Sequence, residues 1–362
     1  MQDLILSPSV APDLADRGEE RKASILLLAC GGGHLNELLK LRELWAGHDP
    51  VLITEDSPLG RKLAREMPVR FVPHFAFGQR QQKSLPAMAS AFVGNLRANA
   101  RAMAGLRPDL VITTGAGSVF PAAVIARVRG ARIAFVESLA RLTEPSLFGR
   151  MVSPFADCIV THSEPVAKAL GATHWIDPLS AGRPRPPKTM TAVLTVGTVM
   201  PFNRLVDGVA RLQRDGQLPE RLFAQVGEGG RIPDGVEGGA FVPSDALQAR
   251  LMAADLLFTH GGVGCILDGL RAGCRVVAMP RDPARGEHYD NHQADIVSAL
   301  EARGLIAVAR EADDLPRALE KARRLDVRCI DVDWAPIVRH LDRWITATLA
   351  GTAREGLSSA AG

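Results

Sequence analysis

The chain has 362 residues, enough for two domains of ordinary size, each with its own buried core. With 46% hydrophobic residues and a formal net charge of +3, its composition is that of a globular protein rather than a disordered polyelectrolyte or a nucleic-acid binder. No run reaches the ~18 unbroken apolar residues that span a bilayer, so any membrane contact is expected to be peripheral.

Residues 1–188 hold 23 Lys and Arg against 17 Asp and Glu, and the remainder is slightly acidic. A basic first half suits an anionic partner such as a membrane surface or a diphosphate lipid, although surface Lys and Arg need no partner. Cys30, Cys158, Cys265, Cys274 and Cys329 are scattered without a CxxC pair or a Cys/His cluster. Neither a disulfide framework nor a zinc site is indicated, and a reduced, cytoplasmic compartment is expected.

Residues 1–22 are polar and aperiodic, carry no apolar h-region of a signal peptide, and read as a disordered tail. Short apolar runs then alternate with amphipathic segments: Ser24–Ala29, Val51–Thr54, Arg70–Val72, Leu110–Thr113, Arg132–Val136 and Cys158–Thr161. This alternation predicts a parallel sheet covered by helices over residues 23–180. Pro184, Pro186 and Pro187 crowd residues 181–190, a density no helix interior or central strand accepts, so this stretch is a linker. The alternation restarts at Ala192–Val196, Leu222–Val226, Asp255–Thr259 and Arg275–Met279, which predicts a second α/β domain over 191–349. A last helix spans roughly Trp334–Leu349, with packing back on the first domain left open, and residues 350–362 read as a second tail.

Several strands end in glycine turns. Cys30-Gly31-Gly32-Gly33-His34 follows the first strand, and Thr114-Gly115-Ala116-Gly117-Ser118 follows the fourth. Glycines let a backbone turn sharply and approach a ligand, and N–H groups at a helix start attract phosphate, although a plain βα turn needs no ligand. The GxGxxG pattern of a dinucleotide site is only partly met, because Asn36 stands at its third glycine. His34 is the candidate proton acceptor, with Glu137, at the end of the fifth strand, as runner-up; a carboxylate capping the following helix is the other reading of Glu137. Gly32, Gly33, Gly115, Gly117 and Ser118 share this rim.

In the second half, His260-Gly261-Gly262-Val263-Gly264 opens a helix and forms a candidate diphosphate cradle. Asp268, one turn inside that helix, is placed to reach ribose hydroxyls. Gly197 and Thr198 end the first strand of the second domain and offer an N–H and a hydroxyl. The loop from Arg281 to Gln293, with Arg285, Glu287, Asn291 and His292, lies where a transferred sugar would sit.

These residues resemble a known family. VGT, a HxGxGxIL turn and a GEHxxxHQ loop recur in this order in the donor-binding subunit of the two-subunit UDP-sugar transferases, and GGGHL, TGAGS, VES and Ser-Leu-Phe-Gly resemble the partner subunit. Relatives include the eukaryotic enzyme that adds the second GlcNAc to a dolichol-linked sugar and the peptidoglycan GlcNAc-transferase type. The bacterial exopolysaccharide glucuronosyltransferases, acting on a polyprenyl-diphosphate-linked saccharide, resemble the chain more. The resemblance covers roughly Ser24–Leu305 and implies both subunits fused in a GT-B fold, two Rossmann-like domains across a cleft, acceptor side first.

It further implies Gly197, Thr198, His260, Gly262 and Gly264 at the donor diphosphate, Asp268 on the ribose, and Asn291, His292 and Gln293 near the sugar. Relatives often carry Glu at the position of Asp268 and Asp at that of Asn203. The implied reaction is an inverting transfer without metal or other cofactor, helix dipoles offsetting the charge on the departing UDP. Asp331-Val-Asp333 reads as the cap of the last helix, with a metal-binding pair as its lesser reading. Arg281 and Arg285 beside the sugar pocket suit a glucuronate carboxylate. Phe75, Phe77, Met88, Phe92, Val93 and Leu96, interleaved with Arg80, Lys83, Arg97 and Arg101, describe either an interfacial helix on the cytoplasmic face of the membrane or a core helix. A UDP-sugar epimerase and a non-catalytic UDP-sugar-binding scaffold are the rival functions.

Overall fold

The computed structural model describes residues 22–75, 85–172, 174–180, 182–197, 200–288 and 291–359. Two six-stranded, all-parallel sheets form its framework. The first contains β1 (Ser24–Ala29), β2 (Asp49–Glu55), β3 (Val69–Val72), β4 (Leu110–Gly115), β5 (Arg132–Val136) and β6 (Cys158–Val160), in the order β3-β2-β1-β4-β5-β6. Its connecting helices are α1 (Gly33–Leu39), α2 (Pro58–Leu63), α3 (Leu85–Ala102), α4 (Phe120–Val128), α5 (Leu147–Val152) and α6 (Glu164–Leu170).

The continuous apolar run of β1 follows from burial on both faces. Ile25, Leu27 and Ala29 join one core with Leu35 and Leu38 of α1, whereas Leu26 and Leu28 face Ala122, Ala123 and Ala126 of α4 on the other side.

A two-residue strand β7 (Leu179–Ser180) leads into the second sheet. That sheet holds β8 (Thr189–Thr195), β9 (Arg221–Gln225), β10 (Glu237–Gly239), β11 (Ala254–His260), β12 (Arg275–Met279) and β13 (Ala307–Val308), ordered β10-β9-β8-β11-β12-β13. Helices α7 (Asn203–Arg214) and α11 (Leu315–Arg323) cover one face, and α8 (Ser244–Ala253), α9 (Val263–Ala272) and α10 (His292–Ala302) the other. The two sheets thus repeat one topology.

Edge strands β10 and β13 carry no apolar run that the sequence could announce. β10 depends instead on close backbone approach: a Cβ on Gly238 would stand 2.0 Å from the carbonyl oxygen of Ala224.

The last helix, α12 (Ala335–Ser359), lies after the second sheet in sequence but belongs to the core of the first. Ile337, Leu341 and Ile345 are buried with Leu41, Leu44 and Trp45. Placing residues up to 349 in the second domain is therefore corrected from Ala335 onward. The chain makes this return beside its outward crossing, where β14 (Asp331–Val332) pairs antiparallel with β7. Asp333 caps α12 by accepting from the N–H of Ala335 at 2.9 Å.

The linker is anchored. Arg185 donates to the Gly273 carbonyl and pairs with Asp255, while Lys188 donates to the carbonyls of Leu251, Met252 and Ala272. At Gly182 the two crossings touch, and a Cβ there would lie 1.1 Å from the carbonyl oxygen of Cys329. Gly182→Ala is expected to force the crossings apart and lower stability by roughly 2 kcal/mol or more. Urea denaturation checks this; an unchanged midpoint would contradict the contact.

Candidate functional site

In an open parallel sheet, the strand order reverses at one place, and the loops leaving the two strands there diverge to opposite faces, opening a crevice. In the first sheet that place is between β1 and β4, in the second between β8 and β11. The glycine turns singled out in the sequence leave these four strands.

At the first crevice, Gly32 takes φ +76° and precedes α1, and a Cβ on Gly32 or Gly33 would meet nothing within 4 Å. His34 Nδ1 lies 2.9 Å from the carbonyl oxygen of Thr114, and the Thr114 hydroxyl donates to the His34 carbonyl at 2.7 Å. A carbonyl only accepts, so the imidazole proton resides on Nδ1 and Nε2 is the basic nitrogen. This reciprocal pair bridges the crevice from α1 to β4.

The other acceptor-side candidates are less open. Gly115 is buried with φ +96°, and its missing side chain makes room for the Phe148 ring, 3.1 Å from a would-be Cβ. Ala116 holds φ +110° and ψ 150°, a region nearly restricted to glycine, so the turn is strained between Gly115 and Gly117. Ser118 is fully buried; its hydroxyl approaches Glu55 at 2.6 Å and accepts from the N–H of Phe75. Ser118 is thus corrected from acceptor binding to a latch that joins the second strand end to the Phe75 segment. Glu55, which also receives His74, is pushed up by burial but held below the usual carboxylate range by these donors.

Glu137 is corrected in the same way. It is 1% exposed, and one oxygen accepts from the N–H of Ser138 while the other accepts from the N–H and hydroxyl of Ser146. Ser146 caps α5, and a Cβ on Gly149 would lie 2.6 Å from the carboxylate. VES and Ser-Leu-Phe-Gly are therefore one unit, bracing the loop from Ser138 to Ser146. That loop carries Leu142 into the core of the second domain.

A second carboxylate, Glu37, was not singled out by the sequence reasoning. It stands one helical turn after His34 and accepts from the Ser138 hydroxyl and the Leu139 N–H, both at 3.1 Å. Its other oxygen is buried with no hydrogen-bond partner among the described residues. The spacing GGGHLNE was the available signal.

At the second crevice, Gly197 has φ +79°, and the His260 ring fills the space above it, 3.3 Å from a would-be Cβ. The same ring would be 2.2 Å from a Cβ on Gly262, so any side chain there would displace His260, while the positive φ of Gly197 itself favours glycine. Gly264 is open, with nothing within 4 Å of its Cβ direction. Asp268 is raised by burial, an effect opposed by Arg271, which donates to it at 3.0 Å, and by the charge of Lys40. Lys40 is the residue after α1 in the first domain, so a charge of that domain acts on Asp268 of the second.

Arg281 does not present itself to a ligand. It is 3% exposed and donates to the carbonyls of Val196, Met200, Pro201 and Glu287, with its guanidinium 4.8 Å from the Phe202 ring centroid. Glu287 is likewise held by a two-point contact from Arg204 and by the N–H of Asp282. Gln293, 3% exposed, accepts from the N–H of Arg281. Arg281 and Glu287 are corrected from sugar contacts to supports of the loops around Gly197, and Gln293 is tied to the Arg281 backbone through its side-chain oxygen. Arg285 is exposed and pairs with Asp282 and Glu311. Asn291 is exposed before α10, which His292 opens; Thr198 and the His292 side chain lie outside the described residues.

Burial raises the Glu37 carboxyl from 4.5 to about 7. Between those values the folded chain binds more protons than the unfolded one, so stability falls as pH rises through that window. Glu37→Gln keeps the acceptor oxygen and removes the titration, and should shrink the stability difference between pH 5 and pH 8 by roughly 1–3 kcal/mol. Urea melts at both pH values check this; an undiminished difference would count against the buried assignment.

Residues 191–326 match the glycosyltransferase family 28 C-terminal domain, and residues 76–179 match the family described as oligosaccharide biosynthesis protein Alg14 like. The chain is 28% identical over 138 residues to the UDP-N-acetylglucosamine transferase subunit ALG13 of Yarrowia lipolytica, covering 35% of this chain and 68% of that protein. It is 25% identical over 199 residues to the subunit ALG14 of Eremothecium gossypii, covering 48% and 88%. Among solved structures, MurG of Acinetobacter baumannii superposes with a TM-score of 0.63 at 15% identity, covering 90% of this chain and 100% of that one. At that identity the likeness establishes the GT-B fold alone. In one polypeptide of GT-B architecture the chain thus carries a stretch similar to Alg14-like proteins, followed by a stretch similar to the glycosyltransferase family 28 C-terminal domain.

Proposed function

We propose that the protein is an inverting glycosyltransferase that moves a sugar from a UDP-sugar to a polyprenyl-diphosphate-linked saccharide at the cytoplasmic face of a membrane. The observation that carries this reading is the pairing of a tautomer-fixed His34 at one crevice with the glycine turn of Gly262 and Gly264 at the other. His34 Nε2 takes the proton of an acceptor hydroxyl, whose oxygen attacks the anomeric carbon while the bond to the UDP phosphate breaks on the opposite face. Backbone N–H groups at the start of α9 stabilise the charge left on UDP, and Asp268 holds the ribose. No metal is needed for these steps.

The ALG13 and ALG14 relatives are named as UDP-N-acetylglucosamine transferase subunits, which supports that sugar as the first donor to test. The glucuronate alternative, with its place in exopolysaccharide assembly, loses the argument from Arg281, whose guanidinium is occupied by carbonyls. It now depends on Arg285 alone.

Helix α3 supports the membrane contact. Its Asn95 and Asn99 are buried and donate to the Ser118 carbonyl, while Phe92, Val93 and Leu96 are each about 40% exposed beside Arg97 and Arg101. A helix that leaves three large apolar side chains exposed among arginines, with Ala98 and Ala102 packed inward, suits an interface better than a core. Phe77, Arg80 and Lys83 lie outside the described residues.

Purified protein incubated with membranes carrying polyprenyl-diphosphate-linked acceptor is expected to label the lipid fraction from radiolabelled UDP-N-acetylglucosamine, with chelator present. Label only from UDP-glucuronate would reassign the donor, and UDP binding with no transfer would favour the scaffold. His34→Ala should slow transfer roughly 10²–10⁴-fold while losing only about 1 kcal/mol of stability with its bond to Thr114, whereas Glu137→Ala should lower stability by more. The reverse order would remove His34 as the base. Replacing Phe92, Val93 and Leu96 by Ser should weaken binding to phosphatidylglycerol vesicles roughly tenfold or more while UDP binding persists. Equal sedimentation with vesicles would refute the interfacial role of α3.

A further inference from the structure

Beyond the cleft, α12 presents a second face. Ile337, Leu341 and Ile345 point into the first core, while Arg339, His340, Arg343 and Trp344 line a cavity of about 780 Å³ together with His174 and Trp175. Trp175 bridges Thr161 in parallel, which extends the outer edge of the first sheet beyond β6, and His174 directly precedes it. The cavity therefore lies at the far edge of that sheet, with β4, β5 and β6 between it and the β1 strand that borders the His34 crevice.

Its chemistry is one-sided. No carboxylate lines it, and neither Arg339 nor Arg343 has a carboxylate partner among the described residues. The two guanidinium groups, one helical turn apart, stand over the same opening. The His174 and His340 rings meet edge to face at 6.0 Å, and His340 Nε2 is 3.7 Å from the sulfur of Cys158. Burial, the neighbouring His174 and Arg343 all push the His340 imidazole below its ordinary value, as expected where positive charge lacks a counterion. Trp175 is 47% exposed although it is a large apolar ring. A guanidinium fork recognises phosphate or carboxylate at two points, and an indole recognises a flat ring.

We infer that this cavity is a binding site for a small phosphate- or carboxylate-bearing molecule with a flat apolar group, the anion on Arg339 and Arg343 and the ring against Trp175 and Trp344. It is separate from the donor and acceptor crevices, so its ligand binds without competing for them. The same chemistry is met in a free phosphoryl compound or in a lipid headgroup at a membrane surface.

Phenyl phosphate, titrated into the full-length protein and followed by calorimetry and tryptophan fluorescence, should bind saturably and at least threefold more tightly than inorganic phosphate. The Arg339→Ala/Arg343→Ala double variant should weaken that binding roughly tenfold or more, with Lys at both positions giving a smaller loss. Both arginines are exposed, and an unchanged urea midpoint for the variant separates loss of binding from loss of fold. Phosphatidylglycerol vesicles form the second arm: weaker vesicle binding by the double Ala variant, without saturable phenyl phosphate binding, assigns the site to a headgroup. Absence of both effects, or equal phenyl phosphate affinity in wild type and double Ala variant, would overturn the inference.

Discussion

A parallel sheet sends every strand end to one edge, and a reversal of strand order leaves one gap there that no crossover helix closes. In this protein the reversal falls beside the first strand of each domain, between β1 and β4 and between β8 and β11. The rest of the site depends on that arrangement. It puts His34 next to Thr114, residues 80 positions apart, and lays the His260 ring over Gly197 and Gly262. At Gly262 an imidazole, not a ligand alone, occupies the space where a side chain would be, while at Gly197 the positive φ itself favours glycine.

Around each gap, buried charge holds loops in place. Glu137 accepts three donors from its own loop, and Arg281 gives its guanidinium to the carbonyls that shape the turn after β8. A buried ion is tolerated only when its hydrogen-bonding capacity is met, and such an ion then fixes the geometry of everything it touches. The two groups that look most like catalytic and sugar-binding residues by type thus serve as braces. Burial raises the proton affinity of both Glu137 and Glu37, and Glu37 differs in having one oxygen with no hydrogen-bond partner among the described residues.

The two domains are also mechanically joined in a particular way. The chain crosses outward through Leu179–Ser180 and the anchored prolines, and returns through Asp331–Val332 into α12. Because α12 completes the first core, the first domain contains both ends of the crossing, and the paired strands β7 and β14 form the joint between them. Leu142 from the braced loop adds a contact to the second core, so the loop that holds Glu37 is coupled to the position of the second domain.

The sequence alone determined the α/β class, nearly all the central strands, the glycine turns and the order of the motifs, because apolar runs buried on two faces and the backbone freedom of glycine are local properties. It also marked His34, whose neighbours in the chain are the turn itself. Tertiary structure decided the rest. Whether Glu137, Ser118, Arg281 and Gln293 face ligand or protein depends on partners up to 85 residues distant. No local pattern reports the hydrogen-bond capacity already met at a buried group. The edge strands β10 and β13, the return of α12 to the first core and the exposed apolar face of α3 were likewise fixed by packing. Each depends on what a face meets in the folded chain, which spacing along the sequence does not encode.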